Sequence, residues 1–227
     1  MNAPAHLRID IWSDVMCPWC IIGYKQLEQA LGDLEGEIEA DISWHPFELN
    51  RDMPVEGEDM GQHMLRKYGV PPEQAASDRM ARIADKAGYS MRYAGEGEEP
   101  PRRIWNTLRA HKLLHWALDA HGQQAQTRLK LALFDAHFQQ RRNMSDDATL
   151  LEIAESVGLD REGAAAALAD EALSDTIRAE QAEALEMGIT AVPMMLVNRK
   201  FMIPGAQEPE TYAAYLRKVV ERSANAD

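Results

Sequence analysis

Cys17-Pro18-Trp19-Cys20 holds both cysteines of the 227-residue chain, and the residues flanking it decide the fold. Ahead of it, Leu7-Arg8-Ile9-Asp10-Ile11-Trp12-Ser13 alternates apolar and polar residues in the manner of a strand. Behind it, residues 21–34 predict a helix with Ile21, Tyr24, Leu27, Leu31 and Leu34 on one face. The cysteine pair therefore stands where a strand hands over to a helix.

That corner has chemical consequences. Pro18 suits a first helical turn, because its ring pre-sets φ and its missing N–H costs nothing there. Cys17 then falls at the N-cap, where free backbone N–H groups and the helix dipole favour an anion. A thiolate is such an anion, so Cys17 is expected to titrate below the free value of ~8.5. Cys20 follows one turn later. Positions i and i+3 carry Cβ atoms roughly 5–6 Å apart, whereas a relaxed disulfide wants about 3.8 Å. Such a bond forms with adjustment and breaks readily, which describes a redox catalyst rather than a structural staple. Two other readings of the pair carry less. A zinc site joining it to His111 and His115 would span about ninety residues, against roughly 12–15 in a compact finger. Two inert buried thiols would not call for proline and tryptophan between them at a strand-to-helix corner.

The composition is that of a globular protein, with 45% hydrophobic and 27% charged residues and a net charge of −13. That charge disfavours non-specific binding to nucleic acid or to an anionic membrane. The first residues show no basic and apolar leader pattern, and no run of 18 or more apolar residues is present. A lone Cys-x-x-Cys in a chain of this kind suits a reducing cytosol, where it is catalytic or metal-binding. The expected location is cytoplasmic.

Residues 37–46 alternate as a second strand ended by Pro46, which completes a βαβ unit. The acidic, glycine-punctuated residues 50–61 read as a loop and domain boundary. Helices are then expected at 60–68, at 71–86 opening on Pro71-Pro72, at 104–120, at 124–140, after a Ser145 cap, at 160–169 and at 171–187. Between them, residues 89–101 form an irregular acidic stretch. After Gly188, residues 194–197 and 201–203 read as a hairpin turning at Asn198-Arg199-Lys200, and Pro209 opens a last helix. Two sheet-forming ends thus enclose a helical insertion. The expected domains are 1–50 plus 188–227 for the first and 51–187 for the second.

That order, with Cys-x-x-Cys after the first strand, resembles the DsbA family of thioredoxin-fold oxidoreductases, and within it the FrnE-like cytoplasmic branch. The resemblance is carried by Ser13-Asp14-Val15-Met16-Cys17-Pro18-Trp19-Cys20 with Ile22-Gly23, by Asn106-Thr107 and Ala110-His111-Lys112-Leu113, by Gly188-Ile189-Thr190-Ala191-Val192-Pro193, and by Ile203-Pro204-Gly205-Ala206-Gln207. It covers nearly the whole chain. It implies an α/β thioredoxin-like fold with an inserted all-helical domain, and a cis Val192-Pro193 bond facing the cysteines. A bare sequence does not show such a bond, since only ~5–6% of X-Pro bonds in folded proteins are cis.

The expected activity is thiol–disulfide exchange, as protein disulfide reductase, isomerase or oxidase. Cys17 and Cys20 are the catalytic pair, and Pro18, Trp19, Val192 and Pro193 are the substrate-binding candidates. No metal and no organic cofactor is expected, with glutathione as a conceivable co-substrate. The partners are thiol- or disulfide-bearing proteins or small molecules, with neither nucleic acid nor membrane. Asp14 is a turn residue or a proton relay for Cys20. His111 and His115 share one helical face beside Trp116, and packing explains them better than metal ligation. Two alternatives stand beside this reading. One is a glutathione-dependent isomerase or transferase, similar in plan to 2-hydroxychromene-2-carboxylate isomerase or kappa-class glutathione transferase, families that carry serine where this chain has Cys17. The other is a non-enzymatic polypeptide-binding protein.

Overall fold

The computed structural model describes residues 3–71 and 79–224. The central strand is β1 (Ala5–Ser13), and it is buried on both faces towards its C-terminal end. β1 pairs in parallel with β2 (Ile38–Pro46), in a register that sets Ile9 opposite Ile42 and Ile11 opposite Trp44. Helix α1 (Pro18–Asp33) connects the two, as the βαβ pattern predicts. On its other side β1 pairs antiparallel with β5 (Met194–Val197), which turns into β6 (Phe201–Pro204). The sheet order is β2-β1-β5-β6, and α8 (Pro209–Ala224) packs along α1. The hairpin turn places Asn198 and Arg199 at φ 50° and 56°. Asn198 uses that geometry to extend the sheet, donating its N–H to the Arg8 carbonyl at 2.8 Å and accepting the Arg8 N–H on Oδ1 at 3.0 Å.

Between the sheet strands lies the helical block. A two-stranded ladder of β3 (Glu58–Asp59) and β4 (Arg103–Ile104) flanks α2 (Met60–Tyr68) and α3 (Arg79–Lys86). Then come α4 (Leu108–Phe138), α5 (Asp147–Ser156), α6 (Arg161–Ala169) and α7 (Glu171–Glu186). The start expected for a helix at Pro71-Pro72 falls largely outside the described residues. The two helices expected at 104–120 and 124–140 are the two arms of α4, on either side of a kink at Gly122. Gly122 takes φ 81°, ψ 177° at the bend, a left-handed φ that suits glycine, and the helix resumes beyond it. Its first expected turn is absent because Ile104 is engaged with Glu58 in the ladder. Ser145 is not the cap of α5. Asp146 is, accepting from the Thr149 N–H at 2.8 Å, while the Ser145 hydroxyl donates to the Asn106 carbonyl.

Two main apolar cores result. One fills the space around the sheet and includes Ile9, Ile11, Ile21, Leu27, Trp44, Met195 and Tyr212. The other lies within the helical block and includes Leu113, Leu129, Leu133 and Leu150. The redox motif spans the seam between them. Val15 and Met16 belong to the helical core, whereas Cys17 and Cys20 belong to the sheet core. The long helix α4 closes the seam from above, with Phe134 in the sheet core and Leu133 beside it in the helical one. α4 is tied to β2 through Gln126, whose Oε1 accepts the Trp44 N–H at 2.8 Å and whose Nε2 donates to the Trp44 carbonyl at 2.8 Å. An amide side chain thereby satisfies backbone groups of the strand that another strand would otherwise take.

Candidate active site

Both cysteines are free thiols and both are buried, Cys17 at 4% and Cys20 at 1% exposure. Cys17 is the N-cap of α1 with an extended backbone (φ −82°, ψ 114°), and Pro18 takes the first helical turn. The Cys17 side chain makes no capping bond, so its sulfur is left for other contacts. Its sulfur lies 3.8 Å from the Val192 carbonyl oxygen, within reach of a thiol hydrogen bond. The Val192-Pro193 peptide bond is cis. Gly23 allows this meeting of α1 with the Pro193 loop, since a Cβ there would stand 3.3 Å from Pro193 Cγ and 3.3 Å from Ala206.

The two sulfurs differ in their electrostatics. The Cys17 thiol is pushed well above its ordinary range, first by its hydrogen bond to Cys20, then by burial and by charge on Cys20. The backbone N–H of Cys20 pulls the other way and is outweighed. Cys20 titrates below its ordinary value. Burial opposes this, but the hydrogen bond from Cys17, the Ser13 hydroxyl and the positive charge of Lys130 prevail. The Ser13 hydroxyl is buried without a well-formed hydrogen bond, yet it lies close enough to Cys20 to favour its thiolate. The expected low-titrating Cys17 is therefore corrected. The helix N-terminus does favour an anion there, but the hydrogen bond to Cys20 and burial raise the Cys17 thiol in the dithiol.

Two buried ionisable groups border Cys20. Asp14 accepts the Met16 N–H at 3.2 Å on one carboxylate oxygen and the Leu49 N–H at 2.8 Å on the other. Burial raises its titration from the ordinary aspartate value, against those bonds and the Lys130 charge. Lys130 is 0% exposed. Its Nζ donates to the Ser13 carbonyl at 3.3 Å and lies 5.3 Å from the Trp44 ring centre and 5.1 Å from that of Phe134. Burial brings it down to about 8, while Cys20, Asp14 and Cys17 each pull it back up.

Lys130 is absent from the candidates that the sequence yields. The apolar positions that the sequence shows in residues 124–140 include Leu129, Leu133, Ala136 and Phe138; the first three face the helical core and Phe138 packs against the sheet core. Gln126, Lys130 and Phe134 are spaced four apart on a second buried face, towards the sheet. A polar residue one turn from a phenylalanine was the available signal.

A cleft of about 620 Å³ opens beside the motif. Met16 and Pro18 line it from the redox side, and Met60, Met64, Tyr68 and Trp105 are among the residues that line it from the helical block. Flexible methionine side chains suit a surface that accommodates varied partners. Arg102, Arg103 and Arg141 stand in the same lining, Arg102 and Arg141 sharing Glu99. Of the substrate-binding candidates, Pro18 borders this cleft, Val192 stands against Cys17, and Pro193 stands against Gly23. Trp19 is 42% exposed and does not line the cleft. Trp12 and Trp44 are core residues, the first stacked on His45 and the second set between Tyr24 and Phe134.

The histidines make no metal site with the cysteines. His111 is buried with Nε2 unpartnered, and His115 is paired with Glu180 at 3.0 Å and Asp119 at 3.3 Å. Among the described residues, no group of three or more histidine, cysteine or acidic side chains is arranged to hold a metal ion. Among the same residues, no helix is long and apolar enough to cross a membrane.

Residues 8–217 match the family model of the DSBA-like thioredoxin domain. The chain belongs to that family. The crystal structure of the probable DsbA oxidoreductase SCO1869 from Streptomyces coelicolor is similar at TM-score 0.80 and 31% identity, over 94% of this chain and 89% of that one. The protein YwbO of Bacillus subtilis (strain 168) is 28% identical over 212 residues, 91% of this chain and 94% of its own. The cytosolic disulfide reductase DsbM from Pseudomonas aeruginosa, solved with GSH, shares the fold at TM-score 0.65 and 17% identity, over 94% of this chain and 99% of that one. The DsbA-like protein therefore has the thioredoxin-like fold with helical insertion that its sequence pattern implies.

Proposed function

We propose that this DsbA-like protein exchanges disulfides through Cys17 and Cys20, with Cys17 as the sulfur that meets the partner. The carrying observation is the placement of Cys17: its thiol lies against the Val192 carbonyl beside cis Pro193, next to the cleft bordered by Pro18. A partner chain or small disulfide seated there brings its sulfur to Cys17 before it can reach Cys20.

In the reducing direction, the proton on Cys17 passes across its hydrogen bond to Cys20. The Cys17 thiolate attacks one sulfur of R–S–S–R′, forms Cys17–S–S–R and expels R′–S⁻, which takes a proton from solvent. Cys20 then loses its proton to solvent and attacks the Cys17 sulfur. The Cys17–Cys20 bond forms, R–S⁻ leaves, and two electrons have passed from the dithiol to the substrate. An external thiol regenerates the dithiol by the reverse sequence. Glutathione is the proposed reductant, in keeping with the GSH found with DsbM, and the proposed setting is the cytosol. No metal or organic cofactor enters these steps.

A coupled assay tests this, with reduced glutathione as electron source and a disulfide-bonded peptide as substrate. Wild type should turn over, and both Cys17→Ser and Cys20→Ser should fail to. Full activity in Cys20→Ser, with glutathione still required, would instead indicate the single-sulfur chemistry of a glutathione-dependent isomerase or transferase. Peptide binding unchanged in both variants, with no turnover by wild type, would indicate a binding protein.

A further inference from the structure

Lys130 is a buried cation without an acidic partner of its own. Among the described residues, no carboxylate lies within ion-pairing distance of its Nζ, whose one hydrogen bond goes to the Ser13 carbonyl. Burying an ammonium costs several kcal/mol unless charge and hydrogen bonds offset it. The Trp44 and Phe134 rings offset a part. The groups that face Lys130 are Cys17 and Cys20 from the start of α1, Asp14 from the loop before it, and His111 from the first half of α4. His111 is held neutral, by burial first and then by the Lys130 charge. Both Asp14 oxygens are already occupied by backbone N–H groups. Asp14 therefore adds negative charge from a distance without pairing with Lys130, and the cysteine pair is the other source of negative charge, Cys20 acting the more strongly.

We infer that Lys130, carried into the redox site by the helical block, is the positioning residue for Cys20: its ammonium is the counter-charge that the Cys20 thiolate faces when it resolves the mixed disulfide on Cys17. The inference rests on the dithiol reading above. Lys130 takes part in no bond change, and its proton stays in place while the Cys17–Cys20 bond forms and R–S⁻ departs. The thioredoxin-like half supplies both sulfurs, and the insertion supplies the charge that tunes one of them.

The coupling is reciprocal. If the Lys130 charge favours the Cys20 thiolate, then losing that thiolate on oxidation must disfavour the Lys130 ammonium. The wild-type protein shows this without substitution. In a lysine side-chain NMR titration of the reduced protein, Lys130 should titrate near pH 8, and in the disulfide form its midpoint should lie lower by about one pH unit. Identical midpoints in the two forms would overturn the inference. That readout involves no substrate, so it stands or fails independently of the proposed activity.

A second measurement reads the resolving step itself. A mixed disulfide of thionitrobenzoate on Cys17 releases its chromophore when Cys20 attacks. In Lys130→Met that release should slow by ~10-fold or more at neutral pH and recover as pH rises, because less Cys20 is thiolate at a given pH. Lys130→Arg, which keeps the charge, should restore most of the rate. Release by Lys130→Met as fast as wild type would overturn the inference. Should Lys130→Met fail to fold, the wild-type titration decides.

Discussion

Two thiols three residues apart lie in different surroundings. Cys17 faces the Val192 carbonyl of the cis Val192-Pro193 bond, and its neighbours Met16 and Pro18 line a methionine-bearing cleft. Cys20 faces Ser13, Asp14 and Lys130 in a dry pocket. The first environment offers shape and access, and the second offers charge. The difference teaches that position in the helix does not by itself assign the thiolate. The N-cap favours an anion at Cys17, yet the positive charge of Lys130 is on the Cys20 side and lowers the Cys20 thiol. Which sulfur attacks is set by what a partner can reach, and which thiol is lowered is set by what is buried beside it.

The comparison breaks most visibly if the sulfurs prove interchangeable. Cys17→Ser should lower disulfide-reductase turnover by more than ~100-fold, measured with the glutathione-coupled assay, and should capture no partner. Cys20→Ser should lose turnover as severely but keep the first step.

The second expected effect concerns buried histidines on both sides, His111 beside Lys130 and His137 in the cleft lining. Burial holds His111 well below 6.5 and is the main cause that lowers His137 to about 3. The unfolded chain takes up these protons near pH 6.5 and the folded chain does not, so each group removes stability as pH falls from about 6.5. The slope is ~1.4 kcal/mol per pH unit per group. His137→Asn should therefore flatten the acid limb by about that slope between pH 6 and 4, read from urea midpoints. An unchanged slope would mean His137 charges in the folded state.

Third, the thiolate absorbance of Cys20→Ala should show Cys17 titrating at least about one pH unit below its place in the intact pair, because the hydrogen bond and charge of Cys20 are gone. No change would dissolve the coupling between the sulfurs. Smallest is Trp19→His. The resemblance places histidine there in DsbA-like strong oxidants, and an imidazolium at the helix N-terminus would favour the reduced form. With 42% of Trp19 exposed, solvent screens that charge, so the reduction potential should rise by no more than ~30 mV in equilibration with glutathione.

The sequence carries most of the fold and half of the site. Period-two alternation gives β1 and β2, glycine and proline mark the hairpin and α8, and Cys-x-x-Cys at a strand-to-helix corner gives the motif. Boundaries inside the helical block are less legible, because Ile104 is drawn into a two-residue ladder with Glu58 and Asp146 outcompetes Ser145 as a cap. Lys130 is the residue that local patterning hides. A helix with two buried faces carries two stripes, and a lysine on the second reads as solvent-facing unless the partner beneath it is known. That partner, the cysteine pair, lies more than a hundred residues away in sequence.

The most direct measurement of the central claim is where a partner's sulfur lands. Cys17→Ser and Cys20→Ser are incubated in parallel with the disulfide peptide, and the mixed disulfides are mapped by mass spectrometry. The account predicts adducts on Cys17 in the Cys20→Ser protein and none on Cys20 in the Cys17→Ser protein. Equal capture by Cys20 would contradict it.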